Sequence, residues 1–141
     1  YGAVGFTHGG SGNVPAVNDS YDYCFSGAPV TYGHPDYILI NHGVNDTGWG
    51  ADNYVREYER FLNHLIEVHE TSKIIVLNNF RGMYKDETKE MVSRFNQEHG
   101  TDVFYIDSSG WVPFEPLHPL RNGHKIIAEH LTQILKEKYS L

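Results

Sequence analysis

A three-layer α/β/α fold built on a parallel sheet is what this sequence predicts, and three features predict it. Short β-branched apolar runs alternate with segments of helical period, the helical segments are long enough to act as crossovers, and each apolar run gives way to a polar loop. The 141 residues suit a single domain spanning 1–141, with no internal repeat.

The elements follow in order. Residues 1–31 are rich in Gly, Ser, Asn, Asp and Pro, show neither a period of 2 nor one of 3.6, and are read as a long functional loop. Tyr37-Ile38-Leu39-Ile40-Asn41, just after Pro35-Asp36, has the pattern of a strand buried on both faces. From Asp52 to Glu70, Tyr54, Val55, Tyr58, Phe61, Leu62, Leu65 and Ile66 recur at the spacing of one helix face. Ile74-Ile75-Val76-Leu77 is a second buried strand that stops at Asn78-Asn79. A helix over 86–99 buries Met91, Val92 and Phe95, and Gly100 stands where a left-handed cap would end it. Val103-Phe104-Tyr105-Ile106 is the third strand. A last helix, 122–139, presents Ile126, Ile127, Leu131, Ile134 and Leu135 on one side.

Charge and composition narrow the partners. The net charge is −7 with His neutral, and no Lys/Arg cluster is long enough to track a phosphate backbone, so nucleic acid is not expected as a partner. No apolar run approaches the roughly 20 residues that span a bilayer, so no membrane segment is expected either. Cys24 is the single cysteine, which excludes an intrachain disulfide. Nine histidines invite a metal reading, but His118, His124 and His130 are six apart rather than at i, i+4, and no Cys or carboxylate cluster completes a set; neither metal nor cofactor is expected.

In parallel α/β sheets, chemistry collects on the loops beyond the carboxyl ends of the strands. Three such loops stand out: Gly43-Val44-Asn45-Asp46, Asn78-Asn79-Phe80-Arg81, and 107–118. Taken singly, Asn45-Asp46 is as well explained by a turn closing a strand. In the first loop, however, Asn41-His42-Gly43-Val44-Asn45-Asp46 resembles a Gly-x-Asn-Asp block, and Glu115-Pro116-Leu117-His118-Pro119 resembles an Asp-x-x-His-Pro block. Gly123-His124 and a terminal helix follow. These two blocks resemble, in order and separation, those of the SGNH-type (GDSL-like) serine ester hydrolases, and Tyr1-Gly2-Ala3-Val4-Gly5-Phe6-Thr7 resembles the end of the family's glycine-bearing strand segment in carbohydrate-esterase-like members.

That resemblance implies a flavodoxin-like sheet of order 2-1-3-4-5, in which the strand from Tyr37 is the third. It also implies ester hydrolysis through a serine acyl-enzyme, with short acyl groups such as O-acetyl on carbohydrate as the preferred substrates. His118 becomes the general base and acid, a role imidazole suits near neutrality. Glu115, three residues earlier, takes the place of the carboxylate that fixes the imidazole tautomer, although the family has the shorter Asp there; Asp107 or a backbone carbonyl is the alternative. The Asn45 amide and the Gly5 N–H become oxyanion donors, with Gly12 competing for the second role. Gly12, Asp46 and Trp111 are candidate substrate contacts. Trp49 and Trp111 flank site loops, where an aromatic stacks on sugar or packs in the core.

The family's first block, Gly-Asp-Ser, has no counterpart here, and its serine is the nucleophile. Ser11, within Gly9-Gly10-Ser11-Gly12-Asn13, lacks the strand-to-helix context of a nucleophile elbow, and Ser108 and Ser109 are weaker still. An upstream segment, or a second chain, is therefore expected to complete the sheet and supply the nucleophile; the chain alone is expected to be inactive. The rival expectation is a non-catalytic module that binds a glycan or a partner chain in the same cleft.

Overall fold

The structure, a computed structural model, describes residues 4–10 and 13–140. Its elements are α1 (Val17–Ser20), β1 (Tyr23–Phe25), β2 (Ala28–Pro29), β3 (Tyr37–Ile40), α2 (Ala51–Val68), β4 (Lys73–Leu77), α3 (Lys85–His99), β5 (Phe104–Ile106) and α4 (Arg121–Tyr139). Strands β3, β4 and β5 form a parallel sheet in that order, with Tyr37 opposite Lys73 and Ile75 opposite Phe104.

Strand β4 is central, which is why four successive apolar side chains fit it. Ile74 and Val76 face α2 and α3, meeting Tyr58, Phe61, Leu62, Leu65, Met91, Val92 and Phe95 in one cluster. Ile75 and Leu77 face the other way, join Ile106, and are covered by Leu131, Ile134 and Leu135 of α4. The result is the expected α/β/α sandwich, its strand order matching the last three strands of the anticipated sheet. Fully burying an aliphatic or aromatic side chain contributes about 1.5–3 kcal/mol, so these two clusters are the main source of apolar burial in the fold.

The helices begin and end for local reasons. In α3, Asp86 and Glu87 set negative charge at the N-terminal end of the helix dipole, and Gly100, at φ 64°, adopts the left-handed cap expected of it. Helix α2 starts after Gly50, which sits at φ 83°.

Two expectations need correction. Strand β3 is not buried on both faces: Tyr37 is 40% and Leu39 47% exposed, while Ile38 and Ile40 pack toward α2 and α3. It lies at the sheet's edge, and α4 covers β4 and β5 rather than β3; Tyr37 reaches only as far as the ring of Tyr139, 5.2 Å away. Consistent with this, Ile126 of α4 is also exposed. Residues 1–31, in turn, are not one long loop. Within 17–29 they form α1 and the antiparallel β1–β2 hairpin, tied down where Asp22 accepts hydrogen bonds from Tyr32 and from His64 of α2 (2.5 Å to His64).

Candidate functional site

Because the three strands are parallel, their carboxyl ends open on one rim, and the loops after them converge there. Asn41 ties two of these loops together, its Nδ2 donating to the carbonyls of Leu77 (3.1 Å) and Asn78 (3.0 Å). Gly43 follows at φ 121°, and a Cβ there would lie 2.8 Å from Asn79 Nδ2 and 2.9 Å from the Tyr54 hydroxyl, so only glycine fits. The chain then turns tightly, with Asp46 N–H donating to Gly43 O and Trp49 N–H to Asp46 O.

At this rim a cavity of about 280 Å³ is lined by both Asn45 and His118, together with Val4, His42, Arg81 and His124. The Asn45 amide donates to the Val4 carbonyl at 3.3 Å, which leaves its second N–H for a ligand. His118 is exposed. A second groove, about 790 Å³, shares Val4 and is lined by Val14, Tyr23, Cys24 and Phe25 of the hairpin region.

Several expected contacts are not made. The Gly5 N–H donates to the His8 carbonyl (3.1 Å) and Gly5 is buried, so Val4 rather than Gly5 faces the cavity and the expected oxyanion donor is already engaged. Asp46 is fully buried and cannot touch substrate. Its Oδ1 accepts the Thr7 N–H (2.8 Å) and the Thr7 hydroxyl (2.7 Å), clamping residues 4–8 against the turn at 43–49. Gly12, like Ser11, lies outside the described residues. Trp111 stacks on His130 at 4.9 Å and packs on the Ile75–Leu77–Ile106 cluster, so it belongs to the α4 interface. The exposed tryptophan is Trp49, 53% accessible and stacked on His8 at 4.7 Å.

Neither candidate carboxylate reaches His118. Glu115 Oε1 pairs with Arg81, 3.3 Å from Nη1. Asp107 accepts the Ser109 N–H (2.9 Å) and sits 3.7 Å from Lys85 Nζ. Burial would raise the Asp107 pKa, but the bonds from Ser109 and the charge of Lys85 hold it below the usual carboxylate value. Ser108 is fully buried, its hydroxyl donating to Asn78 O at 2.5 Å, and offers no nucleophile.

Two residues of the cavity stand in loops that the sequence singles out but were given no role there. His42 is held below the ordinary imidazole pKa by burial, opposed by the Asp46 charge and the Val4 carbonyl, and its ring lies 5.2 Å from Phe6. Its sequence signal is its place directly before the Gly43-Val44-Asn45-Asp46 turn. Arg81, two residues after Asn79, is the other.

No protein-family model and no curated protein matches this sequence. Solved structures do match. A family two carbohydrate esterase from Clostridium thermocellum, in complex with cellohexaose, superimposes with a TM-score of 0.80 at 22% identity, covering 98% of this chain and 48% of that one. One from Cellvibrio japonicus gives 0.73 at 22%, covering 96% and 45%. A third, described as a carbohydrate esterase whose active site has divergent catalytic and non-catalytic binding functions, gives 0.74 at 17%, covering 97% and 51%. The chain thus has the fold of part of a carbohydrate esterase and spans about half the length of these structures.

Proposed function

We propose that this chain carries the oxyanion-binding and general-base parts of a carbohydrate ester hydrolase, with the nucleophilic serine contributed by an upstream segment. The observation that carries the reading is that Asn45 and His118, 73 residues apart in sequence, line one small cavity at the carboxyl ends of a parallel sheet.

In this reading the serine hydroxyl attacks the ester carbonyl while His118 takes its proton, and the free N–H of Asn45 donates to the oxygen that gains charge. His118 returns the proton to the leaving sugar hydroxyl, and water then repeats the sequence on the acyl-enzyme. An O-acetyl or other short acyl group on carbohydrate is the substrate this reading favours. Exposed Trp49 offers a face for stacking on a sugar ring. The outer edge of β3, unpaired among the described residues and with Leu39 open beside it, is where the upstream strand would join the sheet.

The second reading is a glycan-binding module without turnover, favoured by the engaged Gly5 N–H and the absence of a carboxylate on His118 among the described residues. Full-length protein and a His118→Ala variant, assayed on p-nitrophenyl acetate and on an O-acetylated glycan, separate the two. Loss of the base should lower kcat by about 10³-fold or more. Equal rates in both proteins remove His118 from catalysis, and glycan binding without hydrolysis selects the second reading.

A further inference from the structure

The loop that carries His118 is exposed from Pro113 through His118, and among the described residues every polar tie from this stretch to the rest of the molecule goes to Arg81. Arg81 Nη1 donates to the Phe114 carbonyl (3.4 Å) and to Glu115 Oε1 (3.3 Å), and Nη2 donates to the same carboxylate oxygen (3.4 Å). The guanidinium also lies over the Phe114 ring, 3.7 Å from its centroid. One side chain thus grips a backbone oxygen, a carboxylate and an aromatic face, which only the planar fork of arginine can do at once.

Arg81 itself stands on a stiff base. Asn79, nearly fully buried, closes the turn beneath it, donating from Nδ2 to Met83 O (2.8 Å) and accepting the Met83 N–H (3.1 Å). Gly82 supplies the φ of 71° that this turn requires. The Arg81 side chain is largely covered, 19% accessible, while that of Glu115 remains 69% accessible.

We infer that Arg81 is a positioning residue that fixes the His118 loop over the cavity, and that Glu115 serves by holding Arg81 rather than by orienting the imidazole. The inference rests on the hydrolase reading for its kinetic consequence but not for its structural one. A displacement of about 1 Å at a reacting group costs on the order of 10²-fold in rate, which is the scale at stake if the brace is removed.

The test uses full-length protein with 13C-labelled histidine, the His118 imidazole signal being identified by its loss in His118→Ala. Arg81→Ala should shift or broaden that signal and lower kcat by about 10²-fold with KM within about twofold. Arg81→Lys should restore only part of the rate, since a single ammonium cannot make the same set of contacts. Glu115→Ala combined with Arg81→Ala should be no slower than Arg81→Ala alone, as for two residues acting through one contact. An unchanged His118 signal in both Arg81 variants overturns the inference, as does a Glu115→Ala loss far exceeding that of Arg81→Ala. A shifted signal in a protein that hydrolyses no ester supports the brace and sinks the hydrolase reading instead.

Discussion

Gly5 shows how little room one position leaves. A Cβ built there lies 2.6 Å from Asp46 Oδ1, the oxygen that holds both donors of Thr7. Gly5→Ala should therefore destabilise the protein by about 1–3 kcal/mol, read as a lowered urea midpoint, because neither the buried carboxylate nor its partner can retreat. The role of Asp46 was not visible in the sequence for a physical reason: its partner is 39 residues away, and the motif marks the residue without saying which way it points. That Asn45 and His118 lie at one rim was legible because both stand on loops that follow strands, an order that survives in a linear string. Glu115 was misread because its proximity to His118 in sequence says nothing of Arg81, 34 residues back, which takes the carboxylate.

Elements were legible to the extent that they were long. Helix α2 shows its apolar face through five turns, and its bounds in the structure, Ala51–Val68, fall within two residues of those expected. Strands β1 and β2, of three and two residues, are too short to display alternation, so the hairpin could not be read. Strand β3 presents the opposite difficulty: its apolar run describes neighbours on both faces, and only one face has them among the described residues. An exposed apolar edge invites pairing with another chain, so Leu39→Lys should reduce self-association of the 141-residue chain in sedimentation velocity while leaving its melting temperature little changed. A drop in melting temperature with no change in association would show that Leu39 is already covered.

For the molecule as a whole, acid sensitivity follows from two imidazoles, His69 buried and His42 partly so. Burial lowers the pKa of His42, and burial together with the neighbouring His34 and His64 lowers that of His69, whose Nε2 meets the Tyr21 hydroxyl at 3.0 Å. Unfolding restores both to about 6.5, so the unfolded chain binds more protons below that pH. Stability is thus complete above about pH 6.5 and declines as the pH falls toward the depressed folded values. Urea midpoints at pH 7.5 and 5.5 should differ, and His42→Gln with His69→Gln should narrow the gap; an undiminished gap would place the sensitivity elsewhere. The hairpin groove carries a practical consequence as well. Cys24 is the one thiol in these 141 residues and it is exposed on β1, lining the groove that shares Val4 with the cavity. A single maleimide dye will attach there and nowhere else on this chain, which turns the domain into an optical reporter for any candidate ligand titrated against it.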